Sequence, residues 1–399
     1  MLPVIRVHHV LEKEVLDRGT LMIYSKWIVG PRPKLEPGKF VIVESERGEL
    51  LGCGFYDTVG PVAIRLISIG YCKYSSAKEA IMDRLEKAYR KRKMLGIICT
   101  ECGYRLVHSD GDMLPGLIID YYNELIVYQS SSIVWDKLQD VLVESLLEVY
   151  DSKISVYEKS VQRTRLEIGL QPKEGLRYGN KTTSIVVEGS VKLYVDPRRG
   201  QKTGLFLDQR RNRILLERFI AHLEKPMVLD LFSYTGGFGI HALAADAKKA
   251  VFVEQDKKAI EILLKNIELN KIPRNKIEII NDNVWRTLRY LARRKERYQT
   301  IIVDPPAFIP HKEVKQKGKE AYLHLYQHSL HLLDKPGIIF YSSCSAFLGE
   351  DEFKEVIQYA LTHTNYHVLT LQRTPEDHPS RPSAPYLDYL KSAYILVED

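Results

Sequence analysis

The spacing of apolar residues changes character twice along the chain. In residues 1–72 short strand-like runs dominate: Gly38-Lys39-Phe40-Val41-Ile42-Val43-Glu44, Leu51-Gly52-Cys53-Gly54-Phe55-Tyr56 and Ala63-Ile64-Arg65-Leu66-Ile67. β-Branched and aromatic residues fill a half-buried pleated surface well, so these runs predict strands. Arg47-Gly48 supplies a turn, and the glycines of the second run suit a closely packed small barrel. Residues 73–185 mix periods. Ser75 and Ser76 can cap a helix carrying Ile81, Leu85 and Tyr89, and Asp110 to Gly116 reads as a loop. Leu117-Ile118-Ile119 reads as a strand, and Ile133 to Tyr150 as one amphipathic helix. Beyond 186, strands alternate with helices. Met227-Val228-Leu229, Ala250 to Val253, Ile277 to Ile280, Thr300 to Val303 and Ile338 to Tyr341 are separated by helical stretches such as Lys257 to Leu269. That alternation predicts βαβ units in a mostly parallel sheet, whose ligands bind beyond the carboxyl ends of the strands. The expected division is a small β domain over 1–72, a central α+β domain over 73–185 and an α/β domain over 186–399.

Composition narrows the class without naming a partner. A chain of 399 residues is long enough for two or three domains at roughly 150 each. With 45% hydrophobic and 27% charged residues it is globular, which excludes disordered and fibrous chains. Even the longest apolar runs are short, such as Ile338-Ile339-Phe340, so no segment can span a bilayer and no membrane partner is expected. Met1 to Arg6 lacks a basic stretch followed by an apolar one, and five cysteines are too few and too odd for a disulfide scaffold; a reducing cytoplasm is expected. A net charge of +7 favours a polyanion only mildly. The basic run Arg84, Lys87, Arg90, Lys91, Arg92 and Lys93 reads first as a solvated helix face and second as a phosphate-contacting surface.

The chemistry concentrates at the predicted strand ends. Asp230-Leu231-Phe232-Ser233-Tyr234-Thr235-Gly236-Gly237-Phe238-Gly239 is a glycine loop headed by an acid, unlike the GxGxxG turn that holds a pyrophosphate. A carboxylate there repels phosphate but accepts from an ammonium, which fits S-adenosylmethionine. Glu254 closes the second strand and can take ribose hydroxyls; Asp282 closes the third and can accept from an adenine amino group. Each acid alone reads as a loop or cap residue, whereas three at successive strand ends beside a glycine loop read as a cofactor site. Asp304-Pro305-Pro306-Ala307-Phe308 ends the fourth strand: two prolines stiffen the backbone after an acid, and Phe308 is placed to stack on a base. Ser342-Ser343-Cys344-Ser345 ends the fifth. A lone cysteine is usually a buried structural one, but at a strand end beside a cofactor loop its thiolate can be a nucleophile. Cys99-Thr100-Glu101-Cys102 has no second pair and no histidine at zinc spacing, so no metal is expected; a disulfide there stays open.

These motifs, with Pro197-Arg198-Arg199-Gly200-Gln201-Lys202-Thr203-Gly204-Leu205-Phe206-Leu207-Asp208-Gln209-Arg210-Arg211-Asn212-Arg213, resemble the RlmI-like class I methyltransferases, which methylate carbon 5 of cytosine in large-subunit ribosomal RNA. Asp112 to Leu117, His378-Pro379 and Tyr389-Leu390-Lys391 extend the resemblance to nearly the whole chain. It implies a PUA-like RNA-binding domain at the N-terminus, a central α+β domain and a seven-stranded Rossmann-like methyltransferase sheet. It also implies S-adenosylmethionine over Asp230, Gly236, Glu254 and Asp282, with Asp208, Gln209 and Arg210 at the cofactor or shaping its pocket, and RNA as partner. Homodimers are common in the resembling family. Two positions depart from its pattern, Ala307 for a frequent Lys and Glu254 for a frequent Asp, so a phosphate contact from position 307 is not expected.

The expected reaction is covalent. Cys344 adds to carbon 6, carbon 5 becomes nucleophilic toward the methyl group, and Asp304 stabilises the base near N3 or its amino group. The residue that removes the carbon 5 proton is not identifiable from sequence. Two alternatives stay open: methylation of an exocyclic amine (adenine N6 or guanine N2) on the Asp304-Pro-Pro motif without a cysteine, and an inactive RNA-binding assembly factor.

Overall fold

In a computed structural model, residues 2–150 and 153–398 are described, and they pack as two compact units. The chain crosses between the units five times, near residues 184, 194, 207, 375 and 387. The first unit holds residues up to Ser184 together with Val195–Leu207 and Glu376–Leu387; the second holds Ile185–Tyr194, Asp208–Pro375 and the C-terminal stretch from Asp388.

Two five-stranded sheets build the first unit. In one, Val4–Val7, Phe40–Ser45, Leu50–Tyr56, Val62–Leu66 and Met22–Tyr24 lie side by side in that order. Gly54 lets two strands close in, because a Cβ on it would meet the Arg65 carbonyl oxygen at 2.1 Å. The other runs Lys173–Tyr178, Ser155–Ser160, Leu125–Ser130, Leu117–Tyr122 and Gly103–His108. One apolar core joins Phe40 and Phe55 of the first sheet to Ile81, Leu85, Tyr104, Ile126 and Trp135, with the Phe55 and Trp135 rings 5.6 Å apart.

The helix Ala77–Met94 starts where Ser76 accepts the Glu79 N–H at 3.2 Å. Its basic run is not one solvated face. Arg84 and Arg92 are buried: Arg84 donates to the Ile67 carbonyl at 2.6 Å, and Arg92 forms a two-pronged pair with Asp112 at 2.5 and 2.7 Å. Sequence patterning reads Arg as polar and outward, whereas a guanidinium with a full set of acceptors can enter a core. The stretch expected as one helix over 133–150 is two, Ile133–Lys137 and Gln139–Val149, with Leu138 at φ −100°, ψ 16° between them.

The second unit is an α/β layer. Seven strands, β1 (Met227–Leu231), β2 (Lys249–Val253), β3 (Ile277–Ile280), β4 (Tyr298–Val303), β5 (Leu333–Ser343), β6 (Tyr366–Arg373) and β7 (Lys391–Val397), lie in the order β3-β2-β1-β4-β5-β7-β6. All neighbours are parallel except β7, which runs antiparallel to β5 and β6. The helices are α1 (Arg210–Ile220), α2 (Gly237–Ala244), α3 (Lys257–Leu269), α4 (Val284–Arg293), α5 (Lys315–Leu330) and α6 (Glu350–Ala360). Continuous aliphatic runs such as Val228-Leu229 and Ile301-Ile302-Val303 are fully buried, as strands covered by helices on both faces must be. Strand order reverses beside β1, between β1 and β4, so a crevice opens at their carboxyl ends. No helix of the described residues is long and apolar enough to cross a membrane.

Candidate active site

The loop after β1 is shaped by backbone turns and close packing. Phe232, Tyr234 and Gly236 all have positive φ (60°, 50° and 80°), and the Gly236 N–H closes on the Ser233 carbonyl at 2.7 Å. Asp230, 1% exposed, accepts the Gly239 N–H at 2.9 Å and so caps the first turn of α2. Gly239 is required for close approach: a Cβ there would lie 2.2 Å from the Phe252 ring of β2. Glu254, just past β2, draws the loop down by accepting the Tyr234 N–H at 2.8 Å, and takes the Gln255 and Asp256 N–H groups at the same distance. Asp282, past β3, accepts the Asn283 N–H at 2.7 Å and pairs with Arg286 at 2.5 Å, both through Oδ1. It bonds neither Asp230 nor Asp304.

Asp304 ends β4. Its Oδ1 accepts from Gln209 Nε2 at 2.7 Å and from the Ser342 hydroxyl of β5. Gln209 is oriented in turn, because its Oε1 accepts from Asn212 Nδ2 at 2.6 Å and Asn212 also donates to Ser392 of β7. Asp208 accepts from the Tyr389 hydroxyl at 2.7 Å, and Arg210, half-buried, begins α1. The residues from Asp208 to Asn212 therefore reach the carboxyl end of β4 and the amino end of the antiparallel β7 through side-chain amides. The family resemblance implies Asp208, Gln209 and Arg210 at the pocket; nothing in the sequence assigns a role to Asn212, Ser342 and Tyr389, whose hydrogen bonds to this corner form only when distant segments meet.

Pro305 is buried, while Pro306 and Ala307 are exposed. The Phe308 ring packs on Tyr322 of α5 with centroids 4.7 Å apart, so part of the surface expected to stack on a base rests on protein. Cys344, half-buried just past β5, has its sulfur 3.8 Å from the Pro305 carbonyl, which brings the two reaction motifs together. Tyr322 also bonds the Ser345 hydroxyl at 2.9 Å, and burial pushes its phenol up to about 12. Cys99 and Cys102, in the first unit, are joined as a disulfide. No cluster of His, Cys, Asp and Glu able to hold a metal occurs among the described residues.

Electrostatics make the crevice acidic. Burial raises Asp230 to about 8, with Asp304 and Glu254 pushing the same way. Burial likewise raises Asp304 to about 6, with Asp208 adding to the shift. The cation acting against both is Arg213, itself engaged by Glu188 at 2.5 and 2.9 Å. Ser233 Oγ, in the loop, is buried without a hydrogen-bond partner among the described residues. Crowded carboxyls raised in this way suit a ligand that brings positive charge and no phosphate. A sulfonium amino acid such as S-adenosylmethionine has that chemistry.

The strand order with its antiparallel seventh strand, and a glycine loop headed by a buried acid, define a class I methyltransferase. Residues 9–69 match the PUA-like domain model, and residues 212–335 match the model described as Conserved hypothetical protein 95. The chain is 34% identical over 388 residues to a protein of Methanocaldococcus jannaschii named "putative ribosomal RNA large subunit methyltransferase", with 96% of each chain covered. It is 30% identical over 389 residues, again covering 96% of each, to ribosomal RNA large subunit methyltransferase I of Tolumonas auensis. A solved structure described as "a putative sam-dependent methyltransferase from Streptococcus mutans" superposes with TM-score 0.80 at 25% identity, covering 99% of this chain and 100% of that one. The chain belongs to the ribosomal RNA large subunit methyltransferase I family.

Proposed function

We propose that the protein transfers a methyl group from S-adenosylmethionine to carbon 5 of a cytosine in large-subunit ribosomal RNA, with Cys344 as the covalent nucleophile. The loop from Asp230 to Gly239 would hold the cofactor, with Glu254 and Asp282 as acceptors for its nucleoside and Asp208, Gln209 and Arg210 closing the pocket. When bound, it supplies an electrophilic methyl group on a sulfonium. The observation that carries this reading is the placement of Cys344: it ends the strand beside β4, and its sulfur touches the carbonyl that follows Asp304.

In this reading the Cys344 thiolate adds to carbon 6 of the base, and the electron pair of the C5–C6 double bond moves so that carbon 5 becomes nucleophilic. Asp304, fixed through Oδ1 by Gln209 and Ser342, receives N3 or the amino group of cytosine and stabilises charge arising there. Pro305 and Pro306 hold the backbone behind it, and Phe308 offers the edge of its ring to the base. After methyl transfer a base removes the carbon 5 proton and the thiolate leaves. The target base is unpaired or flipped out, since carbon 6 is inaccessible in a stacked duplex. The PUA-like domain and the exposed lysines and arginines of the helix Ala77–Met94 hold the RNA backbone.

Cys344→Ala is the direct test, assayed by transfer of labelled methyl to ribosomal RNA and nucleoside analysis of the product. Loss of at least about 10³-fold in 5-methylcytidine formation is expected for a missing nucleophile. Full activity in the folded variant would overturn the covalent mechanism and favour transfer to an exocyclic amine.

A further inference from the structure

Lys391 is buried where an ammonium has little reason to be. It begins β7, and the β5–β7 register sets it opposite Ser343, one residue before Cys344. Its side chain is 7% exposed. The Nζ atom contacts two backbone carbonyls, Ser345 at 3.4 Å and Tyr389 at 3.3 Å, so it lies against the residue that follows the cysteine. No carboxylate lies within ion-pair distance of it among the described residues. The acids nearest in charge, Asp388 and Glu350, are engaged by Arg373 at 3.2 and 2.5 Å, and Glu350 also by Lys354 at 2.6 Å. A buried cation held by two long carbonyl contacts is costly unless an anion compensates it.

The remaining groups around this corner identify that anion. Acting on Lys391 are Asp388, Arg373, Glu350 and the Cys344 sulfur; Tyr322 and Tyr326 of α5 also feel Cys344, and burial keeps both phenols protonated. Burial pushes the Lys391 ammonium below its usual range, while Asp388 and a Cys344 thiolate push it back up. Asp388 and Glu350 have Arg373 as partner and the two phenols are neutral, whereas Cys344 lies between Ser343, opposite Lys391 in the sheet, and Ser345, whose carbonyl the ammonium contacts.

We propose that the Lys391 ammonium is the counter-charge that keeps the Cys344 sulfur as a thiolate at neutral pH, the thiol proton going to solvent. Lys391 is a positioning residue: it acts through Cys344 and touches no reacting atom. The inference deepens the covalent reading above, and it rests on that reading only for its use in catalysis.

The test reads the thiolate without any methyl transfer. The full-length protein is alkylated with iodoacetamide from pH 5 to pH 10, and Cys344 modification is followed by peptide mass spectrometry. In the wild type the midpoint is expected at least one pH unit below the ordinary thiol value of about 8.5. In Lys391→Met it rises by at least one unit, which lowers the alkylation rate at pH 7 about tenfold, and Lys391→Arg restores it. A purely structural lysine would shift melting temperature and leave the midpoint in place. A wild-type midpoint at or above about 8.5, or an unchanged midpoint in folded Lys391→Met, overturns the proposal. The wild-type measurement stands even if the methionine variant fails to fold. A low midpoint that depends on Lys391, in a protein that makes no 5-methylcytidine, would sink the proposed reaction and leave this inference intact.

Discussion

At the scale of single residues, the site is a set of carboxyls held in unequal states. Asp230, raised to about 8 by burial, keeps its proton in the folded protein at a pH where an unfolded Asp, near 3.9, has lost it. The folded state binds more protons, so this group's contribution is largest below pH 4 and is lost as pH rises toward 8. Between pH 6 and pH 8 the ligand-free protein is expected to lose about 2 kcal/mol from this residue alone. Urea titrations at pH 6, 7 and 8 measure that slope, and Asp230→Asn should flatten it while preserving the acceptor for the Gly239 N–H. Parallel slopes in the two proteins would show that Asp230 is ionised throughout. Saturating S-adenosylmethionine is expected to raise the wild-type midpoint more at pH 8 than at pH 6, because a cationic ligand compensates the carboxylate once it forms.

At the scale of elements, the glycine loop is a packing device as well as the proposed cofactor loop. Gly239 lies inside α2, where alanine would ordinarily favour the helix by about 1 kcal/mol. Here the Phe252 ring, itself fully buried, occupies the space a methyl group needs. Gly239→Ala is therefore expected to destabilise the protein by about 1–3 kcal/mol, as overpacking does, with weaker cofactor binding because α2 must shift. Chemical denaturation decides the sign: a gain in stability would mean that helix propensity outweighs the clash. The extent of α3 was legible to the residue, because amphipathic spacing and the Asp256 cap agree there. The break at Leu138 was not, because both halves of that stretch carry helical spacing and only packing separates them.

At the scale of the whole molecule, the last 24 residues serve both units. Residues 376–387 belong to the first: Asp377 accepts the Arg105 N–H at 3.0 Å through its side chain and takes Arg92 at 2.7 Å through its carbonyl. Residues 391–397 form β7, seated between β5 and β6. Truncation after Pro375 removes an acceptor from a buried arginine in one unit and an interior strand from the other. The first loss leaves buried N–H donors of Arg92 and Arg105 without their acceptors, and the second opens the sheet; both are costly. The truncated chain is expected to lose amide protection in β5 and β6 and around Arg92 and Arg105, as read by hydrogen exchange. Protection equal to that of the full chain would show that the C-terminal stretch is an accessory.

The sequence alone determined the parallel α/β character of the second unit, the three acids at successive strand ends, and the two reaction motifs after β4 and β5. Those features are local: strand ends follow from apolar runs, and an acid beside glycines declares its chemistry within ten residues. Tertiary structure decided which distant groups complete them. Ser342 and Gln209 converge on Asp304, Asn212 orients Gln209, and Lys391 lies beside Cys344 because β7 inserts antiparallel between β5 and β6. It also turned Arg84 and Arg92 inward, against their apparent place on a solvated helix face. Side-chain partners such as Gln209 and Asp304, 95 residues apart, depend on strand order and burial, and neither is written in the spacing of any one segment.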